Sequence, residues 1–178
     1  MNNFLELCEK RQSCRSFDET KSVEHEKLVK MVEAARLAPS ACNSQPWSFV
    51  VIETPELVAE VASACQQLGF NKFTKNANAF ILIQEEPAKL LEAAAKLCSS
   101  QYYAQHDMGT AVVTLCYEAA EQGLGTCIMG MYDREKMAEL LKIPATKRLG
   151  LMLAVGYPKS EGAREKKRKS IEEIARFV

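Results

Sequence analysis

Four short apolar runs constrain this chain more than any other feature. Residues 48–53, 79–84, 125–129 and 149–156 are built almost wholly from aliphatic, aromatic and β-branched side chains. A run of that length with no polar alternation suits a strand covered on both faces. The segments between the runs repeat mostly at three and four residues, the period of a helix with one apolar face. From Glu24 to Leu37 the positions Leu28, Met31, Val32 and Ala35 recur in this way, Ser22 is a candidate cap, and Pro39 stops the helix. Residues 101–122 are the longest periodic segment, with Met108, Ala111, Val112, Leu115 and Ala119 on one stripe and Gly123 at its end, and should form the central helix. Shorter helices are expected over 3–11, over 55–68 behind Thr54 and Pro55, from Pro87 to about Cys98, and over 133–143. Strands between helices give an α+β domain of three layers, with no internal repeat or linker. The segment after Lys169 reads two ways: Ser170 and Glu173 suit the capping box of a last helix, and an extended arm is equally open.

Charge and cysteine usage remove several classes of function. Twenty-three Lys and Arg balance twenty-three Asp and Glu, which argues against nucleic acid as a partner. No apolar run approaches the roughly 20 residues that span a bilayer, and the start, MNNFLELCEKR, carries acid where a signal peptide would be basic then apolar, so a cytoplasmic protein is expected. Seven cysteines, an odd number with no C-x-x-C, read as reduced thiols packed as small core residues. With only His25 and His106 and no HExxH, a metal centre is not expected.

Neither G-x-S-x-G nor a Walker A sequence is present, and Gly123, Gly125 and Gly130 do not make G-x-G-x-x-G. What remains are polar segments suited to anions and flat heterocycles. Arg11, Ser13 and Arg15 alternate, so an extended backbone turns all three to one side as two guanidinium forks and a hydroxyl; alone, the stretch reads equally as a solvated basic loop. In PSACNSQPW, residues 39–47, Asn43 and Gln45 offer carboxamides that can pair with a heterocycle edge or simply close a capped turn. Gly123 and Gly125 permit close approach of the main chain to a ligand. KKRK at 166–169 is a surface run, or a phosphate clamp if the fold returns it to Arg11.

Taken in order, RQSCRSF, APSACNSQPW, GLGTCIMG ahead of an acidic cap, and AVGYP followed by a basic cluster resemble the FMN-dependent nitroreductase family from Arg11 to Lys169. The resemblance implies a three-layer α-β-α fold with a central mixed sheet, in an interlocked homodimer, with an arm over about 159–178 reaching the partner. It also implies non-covalent FMN at the subunit seam and NAD(P)H as electron donor. On the matching positions, Arg11 and Ser13, with Gln12 between them, would meet the phosphate and ribityl end together with Lys166 and Arg168. Arg15 would lie at the pyrimidine edge, where a fixed cation favours the anionic reduced flavin. Pro39, Ser40, Asn43 and Gln45 would come from the other subunit, Asn71 would bond the pyrimidine side, and the main chain at Met129 and Gly130 would face the ring near N5. Hydride passes from nicotinamide to N5 in a ping-pong cycle, so no side-chain acid or base is required. The acceptor would be a nitroaromatic, a quinone or a related small molecule. Three alternatives stay open: a specialised flavin enzyme of dehalogenase or oxidase type, a non-catalytic FMN-binding protein on the same fold, and a helical interaction domain using 101–122.

Overall fold

The computed structural model describes residues 4–96, 99–160 and 162–178. The four apolar runs form strands β1 (Trp47–Ile52), β2 (Ala79–Glu85), β3 (Gly125–Met129) and β4 (Arg148–Gly156), joined in one sheet of order β1-β2-β4-β3. The helices are α1 (Phe4–Lys10), α2 (His25–Arg36), α3 (Pro55–Ala64), α4 (Glu92–Ala95), α5 (Ser100–Glu121), α6 (Arg134–Leu140) and α7 (Ile171–Ile174).

Side-chain parity along the strands explains why the runs are apolar throughout. Ile81, Ile83, Leu153 and Val155 turn to one face, where they pack with Leu28 and Met31 of α2 and Ala111 and Leu115 of α5. Phe80, Leu82, Met152 and Ala154 turn to the other, against Val58 and Val61 of α3 and Met137 of α6. Every residue of β2 is buried, as a strand between two helical layers requires.

The expected mixed sheet is corrected by the pairing. β1 with β2, β2 with β4, and β3 with β4 are all antiparallel. Among the described residues, parallel pairing is confined to one isolated bridge between Ser13 and Thr126. Apolar runs carry no record of strand direction, which the connections decide.

Helix ends differ from expectation where the apolar stripe ends early. α3 stops at Ala64, and a 3-10 turn over Gln67–Gly69 follows before Gly69 reverses the chain at a φ of 76°. The helix expected from Pro87 to Cys98 is reduced to the single turn α4, with Leu91 exposed ahead of it; Leu97 and Cys98 lie outside the described residues. α2 is preceded by Glu24 as its N-cap in place of Ser22, and neither Glu24 nor Thr54 at α3 makes a side-chain cap bond. Asp133 does cap α6, accepting from the Lys136 amide. In the tail both readings hold at once: Ser170 and Glu173 form a reciprocal capping box, yet it supports one exposed turn between extended flanks.

Candidate functional site

The two ends of the chain meet beside the edge strand β3. Cys14 N donates to Thr126 O at 2.8 Å and Ser13 bridges to Thr126, which lays this segment beside β3. Cys14 is buried inward and sits where a Cβ on Gly125 would stand, 2.7 Å away, so Gly125 is required by close packing. The tail then crosses this segment. Arg164 donates from its guanidinium to Ser13 O at 2.8 Å, and the Lys166 ammonium donates to Cys8 O at 2.6 Å and to Glu9 O, carbonyls in the last turn of α1.

Lys166 reports what surrounds it. Burial first, then the charges of Arg11 and Arg168, hold its ammonium below the ordinary lysine range. Three cations from opposite ends of the chain are thus gathered in one place, and among the described residues none of the three is ion-paired to a carboxylate. Glu9 is the nearby carboxylate that acts against their mutual repulsion, and a cluster of cations with no carboxylate in ion-pair contact suits an anion. Beside it opens a cavity of about 590 Å³ whose rim carries Lys10, Arg11 and Lys159 and whose floor includes Cys116, Leu124 and Gly125. Arg11 and Gln12 belong to its described lining; Ser13, Lys166 and Arg168 do not.

The other expected site residues fall into two further groups. Arg15 is exposed along β3, close enough to Cys127 to act against the burial that pushes that thiol up. At the far end of β3, Asn71 donates to Met131 O at 2.8 Å and to Cys65 O at 3.1 Å, so its amide nitrogen is committed within the fold. Met129 is buried and Gly130 exposed, and Arg134 bonds the Gly130 carbonyl at 3.4 Å.

Pro39, Ser40, Asn43 and Gln45 stand apart from these, on α5. Thr110 donates to Pro39 O at 3.0 Å, and Asp107 accepts from the Ala41 amide at 3.0 Å. Ser40 Oγ accepts from the Gln45 amide at 2.9 Å, and Gln45 Nε2 reaches Asn43 O at 3.2 Å. Within one chain this loop lines no described part of the cavity beside Arg11.

Backbone strain singles out the same segments. Among the described residues five other than glycine have left-handed φ, and four of them, Cys42, Asn43, Gln45 and Asn71, lie in the two loops read as ligand-facing; Lys142 is the fifth. Each such residue costs about 1 kcal/mol or more, and strain of this kind collects where function over-determines the backbone. Sequence reasoning missed Arg164, Asp107 and Thr110. Asp107 carried a usable signal, being an acid beside the apolar stripe of α5.

The family model described as "Nitroreductase family" matches residues 8–157. A putative NADH dehydrogenase/NAD(P)H nitroreductase of Archaeoglobus fulgidus is 30% identical over 167 residues, covering 90% of this chain and 88% of that protein. An iodotyrosine deiodinase of Thermotoga neapolitana is 27% identical over 172 residues, covering 89% and 90% of the two chains. The crystal structure of a nitroreductase family protein from Streptococcus pneumoniae superposes with a TM-score of 0.84 at 27% identity, covering 99% of this chain and 100% of that one.

Proposed function

The chain belongs to the nitroreductase family and is an oxidoreductase, and from that premise we propose that it binds FMN without a covalent link and uses NAD(P)H to reduce a small acceptor such as a nitroaromatic or a quinone. The observation that carries the cofactor is the gathering of Arg11, Lys166 and Arg168 without an ion-paired carboxylate, with the Lys166 ammonium held low beside the other two. An FMN phosphate, with up to two negative charges, fits that set better than a neutral ligand does. Bound FMN supplies a centre that accepts a hydride and passes electrons on.

The chain's own residues bind, orient and tune. Arg11, Ser13, Lys166 and Arg168 hold the phosphate end, Arg15 places a fixed charge at the pyrimidine edge, and Asn71 with the main chain of Met129 and Gly130 borders the ring. Pro39, Ser40, Asn43 and Gln45 complete the site from a second copy. Their distance from the Arg11 cavity within one chain, together with their exposure or half-exposure, supports that assignment. The working unit is a homodimer of a single domain, 1–178, whose segment 159–178 embraces the partner. No helix among the described residues is long and apolar enough to cross a membrane, and we place the enzyme in the cytoplasm.

The test is spectroscopic. Purified protein should carry flavin absorption that bleaches on anaerobic addition of NADH or NADPH. Arg11→Ala combined with Arg168→Ala removes two charge-assisted contacts of about 1.5–3 kcal/mol each, so FMN affinity should fall at least a hundredfold while the fold stays intact. A colourless protein that takes up no FMN rejects the proposal. The similarity to a deiodinase favours one second reading, reductive dehalogenation. Offering the reduced enzyme a nitroaromatic, a quinone and an iodinated phenol in parallel separates the two.

A further inference from the structure

Gln12 sits between two residues assigned to the phosphate and lines the same cavity as Arg11, yet its carboxamide is turned to the tail. Both ends of its carboxamide are engaged by the tail. Nε2 donates to Gly162 O at 3.0 Å, and Oε1 accepts from the Arg164 amide at 3.1 Å and from the Arg164 side-chain Nε at 3.4 Å. An amide that donates to one main-chain carbonyl and accepts from a main-chain amide two residues on copies what a neighbouring strand would offer. Gly162, at a φ of 89°, supplies the left-handed position that turns the tail into this register.

The clasp lies just ahead of the residues that matter. Two positions after Arg164 comes Lys166, and two further on comes Arg168. Among the described residues, the hydrogen bonds from 162–169 to the body of the chain all land on residues 8–13. Apart from Lys166, described side chains of this segment are exposed, so burial does not hold it. Without a bound anion, Arg11, Lys166 and Arg168 push one another apart. Something must keep the cations together before the phosphate arrives, and a neutral carboxamide does so without adding a charge that would compete with the anion.

We propose that Gln12 is a positioning residue: it clasps Gly162 and Arg164, and thereby presents Lys166 and Arg168 to the phosphate without itself touching the cofactor. This rests on the FMN reading, and it removes Gln12 from the set that holds the flavin directly. Its physical content is preorganisation, since a tail ordered in advance spends less of the binding energy on its own ordering.

The experiment compares the full-length chain with Gln12→Ala, Arg164→Ala and the double variant. Amide hydrogen exchange over 162–169 in the flavin-free protein should speed several-fold in Gln12→Ala, while the urea midpoint of global unfolding does not move. FMN affinity, read from quenching of flavin fluorescence, should weaken roughly tenfold, as expected when the loss of two neutral hydrogen bonds and one from a guanidinium falls on the ordering of the tail. Its dependence on KCl should flatten, because fewer cations then reach the phosphate. Arg164→Ala keeps its backbone amide but loses its side-chain bonds to Gln12 and Ser13 O, so it should loosen the tail too, and the double variant should weaken binding by less than the sum of the two. Unchanged tail exchange with weakened FMN binding makes Gln12 a direct ligand and overturns the proposal, as does unchanged affinity or an additive double variant. Wild-type protein that takes up no FMN rejects the cofactor reading instead, and exchange in the flavin-free chain still decides the clasp.

Discussion

Asn78 shows how much of this fold hangs on one polar side chain. Its Nδ2 donates to Asp18 O at 3.0 Å and Lys21 O at 2.6 Å, and its Oδ1 accepts from the Tyr157 amide at 3.0 Å, so it ties the loop after the Arg11 segment to the end of β4. Gly156 leaves the room for this: a Cβ there would lie 2.2 Å from Asn78 Oδ1 and 2.9 Å from the Phe17 ring. Gly156→Ala must push both aside, and should lower stability by about 2–4 kcal/mol, seen as a shift of the urea midpoint. A stability within about half a kcal/mol of wild type would show that the loop yields easily. Asn78 was not legible in the sequence, and neither was Arg164. A single side chain bonded to backbone groups far along the chain leaves no periodic trace. Arg11 could be singled out beforehand because it belongs to a short run of alternating basic and hydroxyl residues.

Elements were legible where burial repeats and obscure where partners decide. The period of three and four gave α2 and α5 close to their bounds, because an apolar face is a local property. Strand direction and the shortness of α4 were not local. The junction of α2 with the end of β1 gives a test at this scale. His25, the first residue of α2, lies 3.0 Å from the Glu53 carboxylate just past β1. A cation at a helix N-terminus is unfavourable, yet the hydrogen bond to Glu53, then its charge, hold the imidazole above the ordinary value of 6.5. A raised folded value means that the pair stabilises the fold fully below the unfolded value and that this contribution is lost as pH rises through the folded one. NMR titration should therefore place His25 above its ordinary range, and Glu53→Gln should return it there. The stability difference between wild type and Glu53→Gln should be greatest near pH 6 and fade at alkaline pH; because the pair is exposed, salt should shrink it. A difference that grew with pH would reverse the sign and discard the assignment.

Across the whole molecule, apolar side chains are left uncovered in a pattern that one chain does not explain. α5 exposes Tyr102 and Val113, Leu37 stands out at the end of α2, and the tail exposes Ile171, Ile174 and Phe177. Ile171 and Ile174 are three apart on the single capped turn, so they share a side, and no residue of that turn is buried within its own chain. A capping box fixes the ends of a turn without giving it a core, which implies that its packing partner lies elsewhere. On the two-copy reading, the uncovered faces of one chain receive the tail of the other. Burial of Ile171, Ile174 and Phe177 would then stabilise the pair by roughly 2 kcal/mol for each side chain. Deleting residues 170–178 leaves Lys166 and Arg168 in place, so any effect on the flavin must act through the second copy. The full chain should sediment as a dimer at micromolar concentration, and the shortened one should dissociate and lose FMN with it, because on that reading Asn43 and Gln45 come to the site from the partner. A shortened chain that stays dimeric with its flavin would confine the tail's role to Lys166 and Arg168, and a full-length monomer that retains FMN would return the whole site to a single chain.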